Sequence, residues 1–91
     1  MLDLIKKKRF IKSLKKYRGN KEVLQELKII IEKLVHEKPL PAKYRDHVLK
    51  GDLKDLRELH VKPDTLLLYF KIEKSKIVLV DIGNHNNLFK K

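Results

Sequence analysis

The run Leu66-Leu67-Leu68-Tyr69-Phe70-Lys71-Ile72-Glu73-Lys74-Ser75-Lys76-Ile77-Val78-Leu79-Val80-Asp81-Ile82-Gly83 decides the fold. It contains two apolar stretches of strand length, Leu66 to Ile72 and Lys76 to Gly83, joined through Glu73-Lys74-Ser75. A third stretch, Leu56 to Lys62, precedes them across Lys62-Pro63-Asp64. Connections this short join antiparallel neighbours, whereas a parallel pair needs a long crossover. A three-stranded antiparallel meander is therefore predicted. Side chains alternate between the faces of a strand. Alternation groups Leu66, Leu68, Phe70 and Ile72 with Val78, Val80 and Ile82 as the side that meets the rest of the molecule. In the first strand Leu59 and Val61 are the expected core pair. Glu58, His60, Tyr69 and Asp81 then fall on the opposite face, beside Leu67, Ile77 and Leu79.

What covers the meander is read upstream. Residues 2–6 have the pattern of a short strand. From Lys7 to Tyr17, Phe10, Ile11, Leu14 and Tyr17 recur at three- and four-residue spacing, the signature of one helical face. Gly19-Asn20 ends that helix, and Asn20 is placed to cap the next. There Val23, Leu24, Leu27, Ile30, Ile31, Leu34 and Val35 form a wide apolar stripe, and Pro39 and Pro41 stop it. The expected architecture is α+β: an N-terminal strand, a two-helix hairpin, then the meander completing one sheet, and a short C-terminal helical turn. Ninety-one residues supply one modest core, so residues 1–91 are read as a single domain. No cysteine is present, which excludes disulfides and thiolate metal sites. The start, Met1 to Ile5 followed by Lys6-Lys7-Lys8-Arg9, lacks the order of a secretory signal, and no apolar run reaches membrane-spanning length. A cytoplasmic location is expected.

Charge gives the first indication of function. Twenty-three Lys and Arg against 12 Asp and Glu leave the chain at +11. So strong an excess on so short a chain points to a polyanionic partner, most simply nucleic acid. The excess is uneven. Residues 1–18 hold eight basic residues (Lys6, Lys7, Lys8, Arg9, Lys12, Lys15, Lys16, Arg18) and one acid. An N-terminal basic stripe thus supplies most of the field, beyond what solubility requires.

Four histidines occur, at 36, 47, 60 and 85. His36 ends the second helix, where an imidazole complements the helix dipole, and is left out of the site. His47 lies in the irregular segment 42–55, His60 on the outward face of its strand, and His85 just after the last strand. RNA cleavage through the 2′-hydroxyl needs a base, an acid and positive charge beside the phosphate, and histidine is the natural acid or base near neutral pH. His60 and His85, with Lys50, Lys54 or Arg57, fit that need. A structural role for each histidine is the competing reading. Zinc is another, since His and carboxylate are its usual ligands, but no two of these residues share a helical turn or a hairpin. No cofactor is expected. On spacing alone Asp64 is a turn residue after Pro63. Phe89 is either a core anchor or a platform for a base.

Three linked motifs add a resemblance. Residues 39–89, above all Pro39-Leu40-Pro41-Ala42-Lys43-Tyr44-Arg45-Asp46-His47-Val48-Leu49-Lys50-Gly51, resemble the YafQ branch of the RelE/ParE toxin superfamily. Leu56-Arg57-Glu58-Leu59-His60-Val61-Lys62-Pro63-Asp64 and the ending Gly83-Asn84-His85-Asn86-Asn87-Leu88-Phe89 continue it. The resemblance implies a RelE-like fold, an mRNA endonuclease acting during translation on the ribosome, and a cognate antitoxin that restrains it. It implies functional roles for His47, His60, Asp64, His85 and Phe89, with His60 and His85 as the acid–base pair and Asp64 orienting a histidine. Lys50, Lys54, Arg57 and Glu58 are the further candidates for contact with RNA. One departure stands out. Members of this branch often carry Arg two residues before the glycine of G-x-H, and this chain has Asp81, which on an outward face would repel phosphate. The alternative that Asp81 favours is a non-catalytic toxin or binding module of the same fold.

Overall fold

The computed structural model describes residues 1–49 and 55–89. Among them, five strands form one sheet: β1 (Asp3–Lys6), β2 (His47–Val48), β3 (Arg57–Lys62), β4 (Thr65–Ile72) and β5 (Lys76–Gly83). Their order is β1-β5-β4-β3-β2. β1 pairs with β5 in parallel, Leu4 opposite Ile77, and every other pairing is antiparallel. The helices α1 (Lys8–Leu14) and α2 (Lys21–Val35) connect β1 to the far edge of the sheet, and α3 (His85–Phe89) follows β5.

Local chemistry accounts for the helical elements. α1 runs into a short 3-10 turn, Lys15–Tyr17. Asn20 then caps α2, its side-chain oxygen accepting from the Val23 backbone N–H at 3.1 Å. Val23, Leu27, Ile30, Leu34 and Val35 form the buried stripe of α2. Phe10 is the buried residue of α1, while Ile11, expected on the same face, is exposed. Three- and four-residue spacing defines a face too broad to separate its centre from its rim in a helix of seven residues.

The main core lies between the helices and one face of the sheet. Phe10, Val23, Leu27 and Ile30 meet Leu59, Val61, Leu67, Tyr69, Ile77, Leu79 and Ile82 there. Each large side chain fully buried in this layer contributes about 1.5–3 kcal/mol. The expected faces of β4 and β5 are thus reversed for most positions: Leu67, Tyr69, Ile77 and Leu79 face the helices, and Leu66 and Leu68 face away. The reason is that both faces are covered. Leu66 and Leu68 pack under Leu88 of α3, with Leu49, Leu56, Val80 and Phe89 around them. Thr65 to Tyr69 is buried without interruption, so alternation carries no sign. A bulge adds to the ambiguity. Leu68 pairs with Asp81 but Tyr69 with Leu79, so Val80 is an extra residue in β5. That extra residue returns Ile82 to the helix side.

Candidate active site

Register builds the site on the face away from α1 and α2. His60 of β3 lies opposite Leu66 of β4, and Leu66 lies opposite Gly83 of β5. His85, two residues past Gly83, therefore arrives at the end of the sheet that carries His60. The turn Pro63-Asp64 closes the same end. Glu58, His60, Asp64, Leu66 and His85 line one open cavity of about 460 Å³, together with Pro63 and Asn84 to Asn86. A second register row runs His47, Glu58, Leu68, Asp81 across β2 to β5. His60 and His85, remote in sequence, are thus brought to one cavity with the neighbouring Asp64; His47, expected to converge with them, does not line it and borders it through Glu58.

The hydrogen bonds fix the rings. His60 Nδ1 is 3.3 Å from the carbonyl of Pro63, and His47 Nδ1 is 2.7 Å from the carbonyl of Arg45. A carbonyl only accepts, so in each ring the Nδ1–H donates; in His60 this leaves Nε2 for other chemistry. His47 Nε2 is 3.4 Å from Glu58 Oε1. Glu58 is buried with its carboxylate beside His47, and it also lines the cavity. His85 is exposed at the start of α3, where Asn84 caps by accepting from the Asn87 N–H at 2.8 Å. Phe89 tilts against the His85 ring with centroids 4.9 Å apart and also packs on the Leu66 cluster, so it anchors the ring and the core at once. His36 stays with α2, bonded to Glu32 at 2.9 Å.

Three expectations change. Arg57 lies opposite Tyr69, on the Leu59 and Val61 side where alternation along its strand puts it, and so away from His60 and the RNA contact proposed for it. Its guanidinium donates to Asp46 (Nη2 to Oδ2 at 2.9 Å), and the Tyr69 hydroxyl donates to Asp46 Oδ1 at 2.6 Å. The Asp46 carboxylate raises the Arg57 pKa further, and burial raises that of Tyr69, so both keep their protons in this network. Its task is to hold the segment before β2, and so His47, against the sheet. Sequence reasoning missed Asp46 in this role. The pairing of Asp46 with His47 in the D-H motif is the available signal, but strict alternation assigns Tyr69 to the opposite face. Asp81 is the second change. It is 3% exposed, accepts from the Ile82 N–H, and forms an ion pair with Arg9 Nε of α1 at 2.7 Å. Arg9 offsets its charge, which weakens the expected repulsion of phosphate. The third concerns β2, since residues 47–48 pair with β3 where an irregular segment was expected. Lys50 and Lys54 lie outside the described residues.

Among the described residues no group of three or more His, Asp or Glu side chains is arranged to hold a metal ion. No helix among them is long and apolar enough to cross a membrane.

A mixed sheet backed by two helices, with a histidine-bearing cavity on its far face, is the arrangement of the RelE-like fold that the resemblance implies. Comparison with known proteins narrows the class. The family model for the bacterial toxin YafQ of type II toxin–antitoxin systems matches residues 2–90, and the chain belongs to that family. It is similar to the mRNA interferase toxin YafQ of Escherichia coli strain K12, 37% identical over 67 residues that make up 72% of each chain. A metal-bound toxin of Helicobacter pylori superposes with a TM-score of 0.88 at 44% identity, over 98% of this chain and 100% of that one. YafQ from the Escherichia coli DinJ–YafQ complex gives 0.86 at 30% identity, over 98% and 99%.

Proposed function

We propose that this chain, as one toxin domain of residues 1–91, is an endoribonuclease that cuts messenger RNA on the translating ribosome in the cytoplasm. His60 is the general base and His85 the general acid. The observation that carries this reading is the cavity shared by Glu58, His60, Asp64 and His85. The Pro63 carbonyl holds the His60 ring by Nδ1, so its Nε2 is the nitrogen that takes the 2′-hydroxyl proton. The 2′-oxygen attacks phosphorus, the bond to the 5′-oxygen breaks, and His85 protonates that oxygen as it leaves. The products are a 2′,3′-cyclic phosphate and a 5′-hydroxyl. His47, held by Arg45 and Glu58, faces the charge that builds on the phosphate. Asp64 lines the cavity at the turn that fixes His60. Phe89 sets the His85 ring. Relatives that carry the name mRNA interferase support the substrate, and the DinJ–YafQ complex supports a cognate antitoxin as partner.

The test is primer extension on an mRNA under translation, with the parent chain and with His60→Ala and His85→Ala. Each histidine is polar and at least partly exposed, so both variants should melt within about 1 kcal/mol of the parent. Cuts by the parent should fall about a hundredfold or more in each variant. Undiminished cutting by either variant would remove that histidine from its role. Absence of cutting by the folded parent would instead favour a toxin that acts by binding.

A further inference from the structure

A second cavity touches the first. It has a volume of about 330 Å³, at the small end of the roughly 300–1,000 Å³ typical of ligand pockets. His60 and Pro63 line both cavities, so a chain leaving the first across His60 enters the second. The cavity exists because β2 pairs with only Arg57 and Glu58, leaving the stretch from Leu59 to Lys62 as an open edge among the described residues. The 3-10 turn Ala42–Tyr44 stands beside that edge and supplies the opposite wall.

Its lining is of mixed charge. Lys43, Arg45 and Lys62 contribute cations, and Glu26 of α2 contributes a carboxylate. The Tyr44 hydroxyl donates to Glu26 Oε1, and Lys43 Nζ is 3.3 Å from the same oxygen. Oε2 has no protein partner among the described residues. The Tyr44 hydrogen bond, foremost, holds the Glu26 pKa below its usual value, so the carboxylate stays an acceptor. Lys62 Nζ also lies 3.8 Å from the exposed Glu22. A lone acceptor among three cations is suited to a nucleotide, with phosphate on the cations and an amino-bearing base edge on the carboxylate.

We infer that this cavity is a second RNA subsite, for the nucleotide next to the cut, in which Glu26 selects bases carrying an amino group (adenine, cytosine, guanine) over uracil while Lys43, Arg45 and Lys62 hold the phosphate. The inference rests on RNA as the substrate and adds the element that chooses among sequences. Uracil offers a single ring N3–H flanked by two carbonyl oxygens, which the Glu26 carboxylate repels, where the others offer an exocyclic amino group.

The test titrates the full chain with AMP, CMP, GMP and UMP, following backbone amide signals by NMR. The expected result is perturbation of Glu26, Lys43, Tyr44, Arg45 and Lys62, with UMP weaker than the other three by roughly tenfold. Glu26→Gln keeps an oxygen for Tyr44 and should bring the four nucleotides within about twofold of one another. Lys62→Ala should weaken all four about equally and lower the salt slope by about 1. Equal affinity for UMP in the parent, a selectivity unchanged by Glu26→Gln, or perturbations confined to Asp64 and Asn84 to Asn86 would overturn the subsite. The readout involves no cleavage. A selective cavity in a chain that fails to cut translated mRNA would therefore reject the nuclease reading alone.

Discussion

At the scale of single residues, Asp81 shows how much a neighbour can alter the meaning of a side chain. In sequence it is an acid at a position where relatives often have Arg. In the folded chain it is buried and paired with an exposed Arg9. Restoring arginine there by Asp81→Arg sets two cations together in a nearly solvent-free position, and should destabilise the protein by about 2–3 kcal/mol in urea unfolding. Adding Arg9→Asp reverses the pair, and the double variant should recover a coupling of about 1–2 kcal/mol. If the two changes simply add, the ion pair does not hold Asp81. The same scale contains the ring-orienting carbonyls. Arg45, whose backbone carbonyl takes the His47 Nδ1–H, is left-handed with φ 51°, a conformation that non-glycine residues hold only when the surroundings impose it. Here the 3-10 turn on one side and the Asp46–Arg57 pair on the other impose it.

At the scale of elements, the 3-10 turn Ala42–Tyr44 is tied to α2 through the buried Tyr44 and Glu26. Burial first, and the Glu26 hydrogen bond second, push the Tyr44 phenol up to about 12. A folded-state pKa above the unfolded value of 10 means that the protonated form is the one the fold favours. Its contribution is fully present below pH 10 and is lost as pH rises from 10 through about 12. Urea unfolding at pH 8 and at pH 11 should therefore show a loss of stability that is smaller in Tyr44→Phe than in the parent. An equal loss in both would mean that the phenol is not the linked group. Tyr69 is raised as well, by burial and by Asp46, so the variant should retain part of the loss.

At the scale of the whole molecule, the densest charge lies beside the candidate site and not within it. The eight cations of residues 6–18 are all exposed, on the end of β1, on α1 and on the turn after it. The histidine cavity opens on the far face of the sheet. Arg9, Lys12 and Lys16 reach Asn87 and Leu88 of α3 without lining the cavity of His60 and His85. A stripe so placed is suited to docking a large polyanion, and that role would have a salt signature. The slope of log K for RNA or ribosome binding against log salt should fall by roughly 0.7–0.9 for each phosphate contact removed. Lys12→Ala, Lys15→Ala and Lys16→Ala together should lower it by about 2. An unchanged slope would exclude these three from contact. Cutting chemistry on RNA already bound should be little affected, since none of the three lines the cavity of His60 and His85.

Much of this was legible in the residues. Apolar spacing, Asn20 and the short connections specify the helices, the meander and their order, because these depend on near neighbours along the chain. The linked motifs single out His47, His60, Asp64 and His85 as candidates, because the proposed chemistry depends on residue type more than on the fold's details. Other features lie beyond a linear reading. Thr65 to Tyr69 is apolar on both faces, so only packing against α2 on one side and Leu88 on the other decides which face is which. The extra residue Val80 shifts the register of β5, and no pattern in the sequence marks it. The partners of Asp81, Arg57 and Glu26 come from elements distant in sequence. The sequence by itself determined which elements form and which side chains are available for chemistry, since both follow from local periodicity and residue type. Only the tertiary structure decided which face the site occupies and which charges remain free to act, since burial and ion pairing are set by residues far apart in the chain.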